Sequence, residues 1–406
     1  MSGTTSSHLR AWLKEHTPAG TLRWLRFANA LRQAAHYWIP YNFRNGSAWP
    51  PTHLTLDITY ICNLKCEMCP QAIDFEKDDS NLLKQFKSRK ELTTDQILRL
   101  IDEAADYGVR VFTITGGEPF LRKDILTLIE RVKQRRMDCQ LLTNGMLIKP
   151  PTATRLVELG VDKITISVDG PERIHNLIRK HANSFQRLIE SVMLIQQEKK
   201  RQRSNLPYLA FSNTISATNT KYLSELAEVA GQYAVNLNFG YLYYVTDKME
   251  TQTARILEKI LQMDQVKGED QNVPEALKRI DPHAMEEQIR EIRQKERLYG
   301  IKANFTPNLT PEEVRNRYED DTHAYANKCF YAWYHARVNP YGDVYACGPI
   351  SLSMGNVTEH PLAQIWNNQK YRAFRTALKR HQLFPKCTKC CALNTKLWSF
   401  LPLLRS

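Results

Sequence analysis

Apolar, β-branched segments alternate with stretches of helical periodicity between residues 54 and 245 of this chain. Strand-then-helix units in series predict a parallel sheet, because parallel neighbours need a long right-handed connection that a helix usually supplies. Six such units fit an α/β fold with a partial (β/α)6 TIM-type barrel, whose active site lies at the carboxyl ends of the strands. The predicted strands are Leu54–Ile61, Val109–Thr115, Gln140–Thr143, Lys163–Val168, Tyr208–Ile215 and Val235–Val245. The predicted helices are Thr94–Tyr107 with Thr94 as its N-cap, Asp124–Arg136, Thr152–Leu159, Ser184–Lys199 and Thr220–Tyr233.

Three cysteines lie in the loop after the first predicted strand, at positions Cys62, Cys66 and Cys69. Thiols separated by three and then two residues can wrap one corner of a cubane cluster. Four thiolates are needed to close a four-iron site, so three leave one iron without a protein ligand, as in open catalytic metal sites. Half of a zinc site is the alternative, but zinc sites usually have paired C-x2-C arms. The spacing therefore favours an iron–sulfur cluster.

Polar and glycine residues follow three successive predicted strands at the same end of the barrel as the cysteine loop. Gly116 and Gly117 end the second strand, and two glycines let a ligand approach the backbone closely. The carboxylate of Glu118, which follows them, can accept an ammonium group from that ligand. Thr143–Gly145 and Ser167–Gly170 end the third and fourth strands. Asn-Gly and Asp-Gly are common turn formers, but three such ends in succession favour a ligand site.

The segment from about residue 320 to 395 holds five of the nine cysteines of the chain. A turn at Pro340–Gly342 between short strands at Ala336–Asn339 and Asp343–Ala346 predicts a hairpin, which would bring Cys329 and Cys347 together. A helix carrying Ile365, Trp366, Tyr371, Phe374 and Leu378 is predicted after it.

A distant C-x2-C pair, Cys387 and Cys390, completes a set of four ligands with the hairpin pair. Zinc would accept this set, but the first cluster favours a second iron–sulfur cluster. Cys391 is surplus, because adjacent side chains of extended backbone rarely reach the same metal. Cys139 opens a predicted strand and is interpreted as a core thiol.

Composition and the chain termini bear on location and partners. The chain has 406 residues and a net charge of +13, from 56 basic and 43 acidic residues, which suggests an anionic partner or a diffuse positive surface. No spanning helix or export signal is recognisable, and the cysteines group at metal-ligand spacings, so we expect a cytoplasmic protein with reduced thiols. No nucleic acid is expected as a partner, because no RNA-binding motif is visible.

Both ends of the chain carry apolar residues. Thr21–Ile39 is predicted to be a basic amphipathic helix that ends at Pro40, with Trp24 and Trp38 at helical spacing. Such a helix packs on its own domain or lies in a membrane interface. The tail 396–406 is a second apolar end, and with the helix it leaves membrane association open as an alternative.

The predicted organisation has five parts. Residues 247–319 are rich in charges and helix formers, with helices at Thr253–Met263 and His283–Arg297 and polar stretches at Lys267–Asn272 and Asn304–Pro311. They predict a helical connector. The parts are a basic helical segment at 1–52, the barrel at 53–246, the connector at 247–319, a small cysteine-rich domain at 320–395 and an apolar tail at 396–406.

The cysteine loop and the glycine turn together resemble the motifs of the radical SAM enzymes. Cys62-x3-Cys66-x2-Cys69 is similar to their cluster motif, and Gly116-Gly117-Glu118-Pro119 to the motif at the methionine amine of S-adenosylmethionine (SAM). The resemblance implies a [4Fe–4S] cluster whose open iron is chelated by the amino and carboxylate groups of SAM. The reduced cluster would cleave the C–S bond, and the 5′-deoxyadenosyl radical would abstract hydrogen from a substrate.

Further cofactor contacts follow only from this resemblance. Ser167 and Arg179 stand where the pair that binds the SAM carboxylate would be, and Asn144 would be a further contact to the cofactor. An external electron donor such as flavodoxin or ferredoxin is implied as a partner.

The C-terminal segment resembles the SPASM/twitch extension of this family. Cys329-x12-Gly342-x4-Cys347 followed by Cys387-x2-Cys390 is similar to the twitch form, which has one auxiliary [4Fe–4S] cluster. That cluster would assist electron transfer or place the substrate, which is a small metabolite, a peptide or a lipid-linked metabolite. The competing interpretations are a zinc-stabilised, basic RNA-binding protein and a radical SAM enzyme that modifies RNA. The sequence names no catalytic residue.

Overall fold

The structure, a computed structural model, describes residues 31–32, 34–76, 84, 87–261, 273–278, 280–391 and 393. Its strands form a single sheet with the order β10-β9-β8-β1-β2-β3-β4-β5-β6-β7. Those of the barrel are His53–Asp57 (β1), Val111–Thr115 (β2), Asp138–Thr143 (β3), Lys163–Ser167 (β4), Tyr208–Ile215 (β5), Asn236–Tyr241 (β6) and Ala303–Thr306 (β7). The remaining strands are His335–Val338 (β8), Asp343–Cys347 (β9) and Ile350–Asn356 (β10).

The strands from β1 to β7 pair in parallel with their sequence neighbours, as strand-then-helix units require. This confirms the predicted α/β fold and its six strands. Strand β7 was not predicted, because only Ala303 and Phe305 of its four residues face the core. Phe305 stacks on Phe239 of β6 with ring centroids 4.8 Å apart, and this tertiary contact stabilises a strand that the local pattern does not reveal.

Helices cover the outer face of the sheet and bury the apolar stripes that the periodicity predicted. Those in the barrel region are Pro70–Phe75 (α2), Thr94–Tyr107 (α3), Ile125–Gln134 (α4), Pro150–Glu158 (α5), Glu172–Arg179 (α6), Ser184–Arg201 (α7) and Leu223–Gln232 (α8). Those that follow are Asp247–Leu261 (α9), Pro282–Tyr299 (α10), Pro311–Glu319 (α11), Leu362–Trp366 (α12) and Gln369–Arg380 (α13). A helix at residues 34–43, α1, precedes β1.

Two predicted helix details were wrong. The N-cap of α3 is Thr93, because its hydroxyl accepts from the Gln96 amide and the Gln96 side chain accepts from the Thr93 amide. Thr94 instead donates its hydroxyl to Asp124. The helix predicted around Ile365–Leu378 is divided into α12 and α13, since Asn368 caps a new helix by accepting from the Tyr371 amide at 2.8 Å.

The cysteine-rich segment extends the barrel sheet. The predicted hairpin is present as β8 and β9, and β8 pairs in parallel with β1. Strand β10, which was not predicted, pairs with β9. Arg337 of β8 makes two hydrogen bonds of 2.7 and 2.8 Å with the Asp57 carboxylate of β1. The cysteine groups after β1 and around β9 are therefore held on strands that are separated only by β8.

Helix α1 packs on the segment that follows Cys329. Tyr37 and Tyr41 contact the ring of Phe330, with centroids 5.1 and 4.7 Å apart. The helix does not end at Pro40, as predicted, but continues to residue 43. Proline removes one intrahelical hydrogen bond, and we attribute the continuation to the packing of Tyr41.

Several predictions fall outside the described residues. They concern the start of the N-terminal helix with Trp24, the polar stretch Lys267–Asn272 and the tail 396–406. Within the described residues, no helix is both long and apolar enough to span a bilayer.

Candidate active site

A cavity of about 730 Å³ lies at the carboxyl ends of the parallel strands. The loop after β1 contributes its three cysteines to the wall, and the ends of β2, β3 and β4 contribute the polar and glycine residues found in the sequence. The predicted site residues that line this cavity are Cys62, Cys66, Cys69, Gly116, Gly117, Asn144, Ser167 and Arg179. The structure thus brings together eight of the nine residues predicted for the first cluster and SAM.

The two glycines pack against the backbone that leads into the cysteine loop. A Cβ at Gly116, whose φ is +136°, would lie 2.3 Å from the Thr59 carbonyl oxygen, and one at Gly117 would lie 2.2 Å from that of Ile61. The amides of Gly117 and Glu118 donate to the same two carbonyls at 2.7 and 2.9 Å. No side chain fits between these segments, so the glycines fix the turn directly beside the cysteines.

Glu118 is the predicted residue that does not line the cavity. Its side chain is fully buried, and its carboxylate accepts from the Thr143 hydroxyl and the Asn144 amide at 2.8 Å and from the Phe120 amide at 3.1 Å. Burial raises the pKa of Glu118, although these three hydrogen bonds act to lower it. In this structure the carboxylate holds the end of β3 in place, while its role toward the ammonium group of SAM stays a prediction.

Asn144 connects the end of β3 to the cysteine loop. Its side-chain amide donates to Asn63 Oδ1 at 2.8 Å, and its own Oδ1 accepts from the Met146 amide at 3.0 Å. Asn144 thus positions the middle of the loop that carries the three thiols.

Arg179, at the end of α6, lies between a carboxylate and a cysteine sulfur. Its Nε donates to Asp169 Oδ2 at 2.5 Å, and its Nη1 donates to Cys66 Sγ at 3.5 Å. Burial acts to lower the pKa of Arg179, but Asp169 and Cys66 outweigh it and raise that pKa. Asp169 was not predicted as a site residue, although its Asp-Gly pair at a strand end was the available signal. It is the buried anion that orients the guanidinium.

A second cavity, of about 400 Å³, contains the C-terminal cysteines. It is lined by all four predicted auxiliary ligands, Cys329, Cys347, Cys387 and Cys390, and by Cys391. Burial raises the pKa of Cys329 to about 11 and that of Cys347 to about 12.

The two cavities share a wall. The residues that line both are Tyr60, Cys69, Pro70, Gln71, Tyr243 and Cys391. Tyr60 and Gln71 were not predicted as site residues, and Tyr243 was predicted only as part of the strand Val235–Val245. A ligand in the first cavity would therefore lie beside the C-terminal cysteines of the second cavity.

The donor atoms of both groups fit iron–sulfur clusters. Each group offers only thiols, the usual ligands of such clusters, with three in the first and four in the second. Burial in apolar surroundings disfavours the charged thiolate form of a cysteine. Binding to iron would stabilise that deprotonated form. Among the described residues, no three Cys, His, Asp or Glu side chains converge on a single ion position.

Comparison with known proteins identifies the family. The family model described as the radical SAM superfamily matches residues 56–210, and that of the SPASM iron–sulfur cluster-binding domain matches residues 329–391. The chain belongs to the radical SAM superfamily. This confirms the resemblance drawn from the cysteine loop and from the C-terminal cysteines. Radical SAM relatives are enzymes, and the two domains imply a [4Fe–4S] cluster with SAM and an auxiliary iron–sulfur site.

This radical SAM enzyme is similar in sequence to relatives whose names give different reactions. An AdoMet-dependent heme synthase from Methanosarcina barkeri is 24% identical over 347 residues, which cover 84% of this chain and 88% of the relative. A PqqA peptide cyclase from Granulibacter bethesdensis is 32% identical over 186 residues, 45% of this chain and 44% of that protein.

Solved structures share the fold. SuiB from Streptococcus suis bound to its precursor peptide SuiA has a TM-score of 0.58 at 14% identity, over 85% of this chain and 70% of SuiB. Native anSMEcpe with bound AdoMet and the Cp18Cys peptide has a TM-score of 0.55 at 17% identity, over 87% and 88% of the two chains. These likenesses support the partial barrel and leave the substrate open.

Proposed function

We propose that this enzyme binds SAM in the 730 Å³ cavity and uses it to abstract hydrogen from a substrate beside the second cysteine group. The observation that carries the proposal is that the three loop cysteines, the glycine turn and the ends of β3 and β4 line the same cavity. When bound, the reduced cluster supplies the electron that cleaves SAM and yields the 5′-deoxyadenosyl radical.

Each predicted site residue at or beside the first cavity has a proposed role. Cys62, Cys66 and Cys69 hold the cluster, and Arg179 orients the Cys66 sulfur through its hydrogen bond. Ser167 and the guanidinium of Arg179 bind the SAM carboxylate. The proposed cofactor contacts from the β2 and β3 ends are Gly116, Gly117, Glu118 and Asn144.

The second cavity is proposed to hold one auxiliary [4Fe–4S] cluster on Cys329, Cys347, Cys387 and Cys390. Its shared wall with the first cavity supports a role in electron transfer or substrate placement. The proposed domain division keeps the barrel at 53–246, the connector at 247–319 and the auxiliary domain at 320–395, flanked by the segments 1–52 and 396–406. The connector also contributes β7 to the barrel sheet.

We propose the substrate by its chemical class. The names of the relatives support a small metabolite or a peptide as the substrate of this enzyme. A lipid-linked metabolite is a third candidate. We propose flavodoxin or ferredoxin as the electron donor in the cytoplasm. The three-thiol set of the first cavity and the two matching family models favour this enzyme over a zinc-stabilised RNA-binding protein.

Anaerobic reconstitution with iron and sulfide is the direct test. We expect about eight irons per chain if both cysteine groups hold cubanes, and formation of 5′-deoxyadenosine with SAM and dithionite. A protein with full iron content that forms no 5′-deoxyadenosine would count against the proposed reaction. Bound zinc in place of iron would favour the RNA-binding alternative, which predicts an RNA affinity with a steep salt dependence.

Peripheral membrane contact through α1 is a separate proposal. Trp38 and Phe43 are 42% and 71% exposed and lie next to the basic Arg44, a combination typical of interfacial helices. We expect serine at both positions to lower co-sedimentation with anionic vesicles severalfold. Leu298→Ser, at a residue that is 74% exposed on α10, is the matched control. Equal sedimentation of all three proteins would contradict the proposal.

A further inference from the structure

The outer side of helix α6 carries an exposed leucine between two exposed cations. Leu177 is 61% exposed. Arg173 lies four residues before it on the same side of the helix, with its side chain 61% exposed. The exposed Lys180 follows three residues after Leu177, directly beyond the end of the helix. We call these three residues the α6 face. Single exposed apolar residues are common on protein surfaces, so the meaning of Leu177 depends on what lies beneath it.

The inner side of the same helix packs on the loop that carries the three cysteines. Ile174 and Ile178 belong to one buried apolar cluster with Cys66. The Glu67 amide donates to the Ile178 carbonyl oxygen at 3.0 Å, and Arg179 Nη1 donates to Cys66 Sγ at 3.5 Å. An α-helix with its side chains is about 10 Å across. The α6 face therefore lies about one helix width from the Cys66 sulfur.

The first cavity is not a route for a protein that delivers electrons. In the proposed function SAM and the substrate occupy this cavity, whose wall contains Cys62, Cys66 and Cys69. A protein carrier therefore has to approach these cysteines from outside the loop. At Cys66 the layer outside the loop is α6.

The charge around the α6 face is positive. Residues 173–187 contain no Asp or Glu, and three of their four Lys or Arg residues are exposed, although Glu172 directly precedes this stretch. The guanidinium of Arg173 lies 4.3 Å from the centroid of the Tyr222 ring, which packs on the buried cluster under α6. Its contact with Glu225 at 3.7 Å is solvent-exposed and therefore weak. The Arg173 charge is thus held in place at the surface.

We propose that the α6 face is the docking surface for the electron donor, and that this donor is an acidic flavodoxin. The inference rests on the proposed function, which requires an external donor for the first cluster. A flavodoxin presents the apolar edge of its flavin within an acidic rim, so the flavin edge packs on Leu177 while the rim meets Arg173 and Lys180. One electron passes from the reduced flavodoxin to the oxidised cluster, and no bond is formed. Electron-transfer complexes are small and transient, so a compact apolar contact between opposite charges is sufficient.

The test compares two reductants on the reconstituted full chain. Dithionite is a small molecule that needs no docking surface, whereas reduced flavodoxin does. We expect Leu177→Glu to lower 5′-deoxyadenosine formation with purified reduced flavodoxin by about tenfold, because the change removes the apolar centre of the contact and repels the acidic rim. With dithionite the same variant should form the product at the parent rate, since Leu177 lines neither cavity.

Arg173→Gln combined with Lys180→Gln tests the charged part of the surface. The rate of flavodoxin association should fall severalfold at low ionic strength and approach the parent rate at high ionic strength, because salt screens exposed charges. Biolayer interferometry with purified flavodoxin measures this rate independently of SAM cleavage. Leu298→Glu, at a residue that is 74% exposed on α10 and lines neither cavity, is the matched control and should behave as the parent in both assays.

The two reductants decide whether the α6 face is a docking surface. A loss of product formation in Leu177→Glu with flavodoxin alone, together with weaker flavodoxin binding, supports it. Parent rates with flavodoxin, or an equal loss with both reductants, overturn it. A loss with ferredoxin but not with flavodoxin overturns the choice of flavodoxin as the donor.

The outcomes also separate this inference from the proposed function. A parent protein that forms 5′-deoxyadenosine with dithionite but does not bind flavodoxin overturns the docking surface and leaves the proposed reaction intact. A parent protein that forms no product with either reductant overturns the proposed reaction. Weaker flavodoxin binding by Leu177→Glu then still supports the docking surface, and unchanged binding overturns it.

Discussion

Replacing Cys66 by alanine is expected to abolish 5′-deoxyadenosine formation and to remove about four of the eight irons per chain. The Cys66 thiol is 7% exposed and is the one that Arg179 contacts. With two thiols left, the open end of the first cavity cannot hold a cubane firmly. The four thiols of the second cavity are not touched by this change, so iron at that site should persist. Iron analysis and product detection on the same preparation measure both effects.

Cys139→Ala is the matched control for this experiment. Cys139 is fully buried in β3 and lines neither cavity, so its loss should leave iron content and product formation at parent levels. Removal of all iron by Cys66→Ala alone would mean that the two cysteine groups do not form separate sites. Retention of about eight irons would contradict the role of Cys66 as a ligand.

The first site could be predicted because its parts are local in sequence. Cys62, Cys66 and Cys69 follow one strand, Gly116 and Gly117 end the next, and parallel strands bring their carboxyl ends to one edge of a sheet. The topology alone then determines that these groups meet. The same reasoning located Ser167 at the end of β4.

Other features depend on contacts between residues that are distant in sequence, which a local pattern does not reveal. The short strand β7 is stabilised by the stacking of Phe305 on Phe239. The burial of Lys386 and Lys389 results from the positions of α9 and α11, more than 60 residues earlier in the chain. Glu118 follows the glycine turn, as predicted, but its carboxylate points to the end of β3 because three donors converge there.

Arg179→Met is expected to destabilise the protein as well as to impair SAM binding. The Asp169 side chain is fully buried and its partner Arg179 is nearly so. Removing one member of a buried ion pair leaves an uncompensated charge, which costs about 3–5 kcal/mol of unfolding free energy. Denaturant unfolding of the purified variant measures this loss. Arg173→Met, on the same helix at an exposed pair with Glu225, should cost under about 1 kcal/mol.

The double variant Arg179→Met with Asp169→Asn separates folding from cofactor binding. It removes the unpaired carboxylate, so we expect it to regain most of the stability lost in the single variant. It does not regain the guanidinium, so binding of SAM to the reconstituted protein, measured by equilibrium dialysis, should stay weak. If the double variant binds SAM as tightly as the parent, Arg179 is needed for the fold and not for the cofactor. If the single variant unfolds like the parent, the buried ion pair with Asp169 is not what holds the guanidinium beside Cys66.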